Sequence, residues 1–109
     1  MNEGIKLWEI LVPCQRNDGK PYRTRHHRAW DLQVERITGG LTIMRPALGQ
    51  WRSPATGTLH KERMIPVRIA CTREQMREIL RRTLVHYPEQ EEVMAYLISD
   101  EVMTQGWEP

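Results

Sequence analysis

Cysteine is nearly absent from this 109-residue chain: only Cys14 and Cys71 occur, and they do not form a C-x-x-C arrangement. Two thiols are too few for a disulfide scaffold, and without paired spacing neither a zinc knuckle nor a redox couple is indicated. No apolar run approaches the roughly 18 residues of a membrane span. The start, Met1-Asn2-Glu3-Gly4-Ile5-Lys6, lacks the basic and apolar regions of a secretory signal. The expectation is a soluble, cytoplasmic protein without membrane contact. Also missing are a Gly-rich phosphate loop, helix-turn-helix spacing, an aromatic RNA-binding signature and the elbow that activates a serine or cysteine nucleophile. No motif implies a cofactor or a metal.

The length suits one domain spanning residues 1–109, large enough to bury a real core. Net charge is only +2, so the total does not predict electrostatic capture of nucleic acid. The distribution is more informative. Arg16, Lys20, Arg23, Arg25 and Arg28 cluster near His26 and His27 against the single acid Asp18, whereas the chain after Pro88 holds Glu89, Glu91, Glu92, Asp100, Glu101 and Glu108 and no Lys or Arg. These segments complement one another and can meet within a subunit or between two; as exposed charges they are expected mainly to be solvated.

Residues Ile5 to Val12 are apolar on both parities, which predicts a strand covered on both faces. Trp30, Val34 and Ile37 recur at i, i+4, i+7, and Gly39-Gly40 follows, so a helix is expected over about 23–38. Two β-rich runs, near 41–51 and 59–70, flank a segment crowded with Ser, Pro, Thr and Gly, the pattern of a long hairpin. Thr72 and Gln75 stand at capping-box spacing before the stripe Met76, Ile79, Leu80, Thr83 and Leu84, a second helix. Val93 to Ile98 completes the series as a strand. The order β-α-β-β-α-β is the ferredoxin-like arrangement: an α+β fold with both helices on one face of a four-stranded antiparallel sheet and strands one and three central. Pro46 fits an edge strand; Pro66, in a central one, predicts a bulge or a register in which its nitrogen faces no partner. Cys14 and Cys71 then end strands at opposite edges, roughly 20 Å apart at about 3.3 Å per residue, too far for a disulfide.

Within the hairpin, Ile65, Val67, Ile69 and Cys71 share a parity and should face the helices. A turn centred near Ala55-Thr56 sets Trp51 opposite His60 and Gly49 opposite Glu62, on the outward parity with Ile43, Arg45, Met64 and Arg68. The candidate ligand-binding set is therefore Arg45, Trp51, His60, Glu62, Met64 and Arg68. His60 and Glu62, at i and i+2, can present a base with its orienter, or two metal ligands, but are incomplete for either task. Trp51 can pack in an interface or stack on an aromatic ligand beside an arginine. Adjacent His26 and His27 point about 100° apart on a helix and do not share one ion, so they are expected as surface histidines.

The string Gly40-Leu41-Thr42, Gly49-Gln50-Trp51, Gly57 and Glu62, spanning roughly residues 39–70, resembles a small bacterial family known only as a domain of unknown function. The resemblance implies a ferredoxin-like fold and no activity. Three functional classes follow. The first is a dimeric ligand-binding or accessory module using the open sheet face. The second is a small dimeric α+β-barrel enzyme similar to monooxygenases and isomerases. The third, least favoured, is a nucleic-acid-binding regulator using Arg16, Lys20, Arg23, Arg25 and Arg28. A homodimer and a small-molecule ligand are the expected partners.

Overall fold

Alternating and 3.6-residue periodicities become five strands and two helices in the computed structural model, which describes residues 4–107; the opening Met1–Glu3 and the acidic Glu108 lie outside the described residues. Strand β1 (Lys6–Pro13) is followed by α1 (Thr24–Thr38), β2 (Thr42–Ile43), β3 (Ala47–Arg52), β4 (Leu59–Cys71), α2 (Arg73–His86) and β5 (Ala95–Ser99). The sheet is antiparallel, with order β2-β4-β1-β5 and with β3 pairing farther along β4. Strands β1 and β4 are thus central, and the expected helices and last strand are all present.

One face of this sheet carries the core. Trp8, Ile10 and Val12 of β1 and Val67, Ile69 and Cys71 of β4 are buried with Trp30 and Val34 of α1 and Met76 and Ile79 of α2. Trp30 crosses between the helices, where its Nε1–H donates to Thr83 Oγ1 at 2.9 Å. The predicted capping box forms: Gln75 N–H donates to Thr72 Oγ1 at 3.1 Å and Thr72 N–H to Gln75 Oε1 at 2.9 Å, satisfying two donors that the helix leaves free. Gly39 ends α1 at φ 91°, a left-handed conformation that favours glycine.

The hairpin register matches the expected one at Trp51↔His60 and Gly49↔Glu62. Its first arm differs from the expectation: instead of one strand there are two, making five in the sheet. Ile43 opposes Val67 and Ala47 opposes Met64, so four steps on the edge face three on β4 and one extra residue bulges within 44–46. The bulge reverses the parity, and Ile43 shares the helix-side parity of Val67 rather than the outward one expected. Pro66 sits opposite this interruption. Its carbonyl accepts from Met44 N–H at 2.9 Å, and its nitrogen, on the same side, faces the gap where a donor is not needed.

Strand β1 departs from its expectation of cover on both faces. Leu7 and Leu11, on the side away from the helices, are only half-buried, because nothing within the described residues is layered over that face. Both cysteines are free. They lie at opposite ends of neighbouring central strands rather than at opposite edges, since Lys6 pairs with Cys71 and Cys14 N–H bonds to Arg63 O.

Candidate functional site

On the open face, β1 presents one charge among apolar neighbours. Glu9 is paired with Arg68 on β4 and with Tyr96 on β5, so the register alone brings three polar side chains from three adjacent strands together. Arg68 Nε donates to Glu9 Oε1 at 3.0 Å, and the Tyr96 hydroxyl donates to Glu9 Oε2. The Glu9 side chain is 10% exposed while that of Arg68 is 40% exposed, so a single layer of side chains hides the carboxylate. The Tyr96 hydroxyl, foremost, holds the Glu9 carboxyl below its usual range; burial opposes this, and the Arg68 hydrogen bond and charge reinforce it. The same hydrogen bond to Glu9 raises the Tyr96 phenol.

Beside this trio the bulge opens a shallow depression of about 580 Å³ lined by Glu9, Arg68, Ile43, Met44, Arg45 and Pro66. The missing strand pairing at 44–46 creates it. Its wall is apolar at Met44 and Pro66, with a carboxylate at its floor and two guanidinium groups at its rim. Such a surface takes a ligand with a flat or apolar part and hydroxyl or cationic groups for the carboxylate.

The residues expected to form a ligand site separate into two groups. Arg45 and Arg68 line the depression. Trp51, His60 and Glu62 lie on the distal arm, where His60 is eight residues from Arg68 along β4, roughly 26 Å at about 3.3 Å per residue. Trp51 and His60 stack with centroids 4.3 Å apart and planes at 16°. Met64 lies between the groups with its methyl over Gly49, where a Cβ would collide with it. Glu9 and Tyr96 were not among the expected residues; the signal available was that Glu9 is the sole charged residue between Leu7 and Pro13.

The alternative basic set is exposed throughout: Arg16, Lys20, Arg23, Arg25 and Arg28. Part of the anticipated complementarity occurs inside the subunit, where Arg16 lies 3.8 Å from Glu89 and Asn17 N–H donates to Glu89 Oε2 at 2.9 Å. His26 and His27 are not solvated surface groups as expected but are half-buried, because the end of α2 brings His86 and Tyr87 against them. Burial pushes the Cys71 thiol up to about 11 and raises that of Cys14, which disfavours thiolate chemistry at both. No helix among the described residues is long and apolar enough to cross a membrane.

No model of a known protein family matches the chain, so the resemblance in the hairpin is supported in its fold only, and no curated protein matches it. Solved structures do. A phage SAM lyase in complex with S-methyl-5'-thioadenosine superposes with TM-score 0.67 at 13% identity, covering 92% of this chain and 84% of that one. CutA from Synechococcus elongatus gives 0.60 at 13% identity, covering 90% and 78%, and the GlnK–ATP complex of B. subtilis gives 0.55 at 16% identity, covering 91% and 86%. At these identities the likeness is one of ferredoxin-like fold.

Proposed function

We propose that the protein is a small-molecule-binding module that uses its open sheet face, that the ligand is an adenine nucleoside, and that a second copy of the chain covers that face. The observation that carries the reading is the Glu9 carboxylate, held charged by Tyr96 and Arg68 at the floor of the depression. A carboxylate so placed accepts from vicinal ribose hydroxyls, while Met44 and Pro66 give apolar surface to a base and Arg45 is available to an anionic end. Two of the similar structures hold adenosine compounds, S-methyl-5'-thioadenosine in one and ATP in another. Cover by a second copy is supported by β1, whose sequence is apolar on both parities although one face is open here.

The test is thermal-shift measurement and titration calorimetry with adenosine, S-methyl-5'-thioadenosine, S-adenosylmethionine and ATP. At least one compound is expected to raise Tm and bind. Glu9→Gln is expected to weaken that binding by about ten-fold, equivalent to ~1.4 kcal/mol for a charge-assisted hydrogen bond. Absence of any shift or heat at millimolar ligand rejects the reading. The enzymatic alternative is favoured by one feature, a shielded carboxylate able to face a sulfonium cation, and mass spectrometry of the same mixtures reports turnover directly.

A further inference from the structure

Away from the open face, the start of α1 and the end of α2 are joined by rings rather than by aliphatic side chains. His26 and His86 stack with centroids 4.0 Å apart. Each places Nε2 on the other's backbone carbonyl, at 2.7 Å and 2.6 Å. A carbonyl only accepts, so both rings carry a hydrogen on Nε2. The Gln33 amide donates to His86 Nδ1 at 3.3 Å, which requires a lone pair there and therefore a neutral imidazole. Alongside, His27 Nδ1 and the Tyr87 hydroxyl share a 2.6 Å hydrogen bond, and Tyr22 stacks on His26 at 5.1 Å and meets Tyr87 edge-on at 4.9 Å.

We infer that this cluster is an acid-released clasp: with neutral imidazoles it closes the α1–α2 junction, and protonation opens it. A proton on His86 Nδ1 removes the acceptor for the Gln33 N–H, so that side chain must turn its carbonyl oxygen to the ring or let go of it. A second proton on His26 places two cations face to face at the stacking distance. The charged groups around the clasp offer little relief. On α2 the Glu78 carboxylate is already taken by Arg81 at 2.6 Å and Arg82 at 2.8 Å, both adding positive charge. From the loops, Glu89 is engaged by Arg16 and Asn17, and the Asp18 carboxylate accepts from Lys20 N–H. On α1, Asp31 acts on Tyr87 and is itself raised by burial and by Glu35, with Arg28 opposing; Arg23 stands at the helix start. Just beyond β1, the un-ionised Cys14 thiol faces Tyr87. Water reaches the rings through an open depression of about 560 Å³ that His26 and His86 line.

The sign is consistent with the geometry. Burial, then the charges of His26 and His86, lower the affinity of His27 for a proton. The unfolded chain therefore takes up that proton first, and the stabilisation from neutral His27, complete above the ordinary value of 6.5, is lost as pH falls below it. What the clasp holds is the segment after α2: Gln90 N–H bonds to Tyr87 O, Glu89 pins Asn17, and the chain then runs into β5.

Hydrogen exchange on the full chain, at about pH 7.5 and about pH 5.5 to bracket the ordinary histidine value and corrected for intrinsic rates, tests this. Amides in 83–90 are expected to lose protection about ten-fold at the lower pH while β1 and β4 keep theirs. His27→Gln, and separately His86→Gln, should flatten the difference. Equal protection in 83–90 at both pH values in the unaltered chain overturns the proposal, as does a loss shared equally by the central strands. An undiminished pH response in both variants overturns it too.

Discussion

Glu9 shows how one residue can be stabilising in a position where a charge is usually costly. Desolvation raises a carboxyl, but the Tyr96 hydroxyl outweighs it and Arg68 adds to the same side, so the folded carboxyl titrates below its ordinary 4.5. For a group depressed on folding, the stabilisation is complete above the unfolded value and is lost as pH falls through 4.5 toward the folded one. Urea denaturation should therefore show Glu9→Gln costing about 1 kcal/mol near neutrality and much less below pH ~4, a modest figure because Arg68 is well exposed to solvent. Equal losses at both pH values would assign the effect to packing. At this scale the sequence was only partly legible. Thr72 and Gln75 announced their cap because the motif is local, four residues long. The Glu9–Arg68–Tyr96 trio is made of residues 59 and 87 positions apart, which only the strand register joins. The burial of His26 and His27 is hidden from the sequence for the same reason, their partners His86 and Tyr87 lying 60 residues away at the end of α2.

Among the elements, the hairpin was readable because its turn residues fix the register, and with it every cross-strand pair from Ala47↔Met64 to Arg52↔Leu59. The bulge at 44–46 was not. One added residue leaves composition and alternation almost unchanged, yet it splits β2 from β3, turns Ile43 over and opens the depression. The two helices show the opposite case, in which an apolar stripe contains a specific polar link. Thr83 belongs to the stripe of α2 and is buried there, but its Oγ1 accepts from Trp30 Nε1 and donates to Ile79 O at 2.6 Å. Thr83→Val preserves the shape and leaves the buried indole N–H without an acceptor, at an expected cost of about 1–3 kcal/mol, whereas Thr83→Ser keeps the bond. Chemical denaturation of the two variants compares them directly; equal stability would mean that the link contributes nothing beyond packing.

For the whole molecule, shape and surface point the same way. The extents of 57 × 31 × 23 Å reflect an arm, β3 with the first half of β4, that extends past the helices. A two-stranded ribbon alone is marginal in water, and this one exposes Trp51 by 50%, Leu48 by 60% and Leu59 by 45% on its two faces. At the other side of the sheet, β5 has an edge unpaired among the described residues, with Tyr96, Leu97 and Ile98 exposed and no Lys or Pro in the strand to deter pairing. A net charge of +2 gives little repulsion between copies. Strand β1, apolar on both parities with one face open, supports the proposed cover by a second copy. Sedimentation velocity is expected to find an assembly at micromolar concentration, and Trp51→Asp, which sets a charge on the arm without entering the core, should shift it toward monomer with secondary structure retained. A chain that is monomeric at every accessible concentration would leave the open face as the surface of a solitary binding module, and would remove the second copy, though not Glu9, from the proposed site.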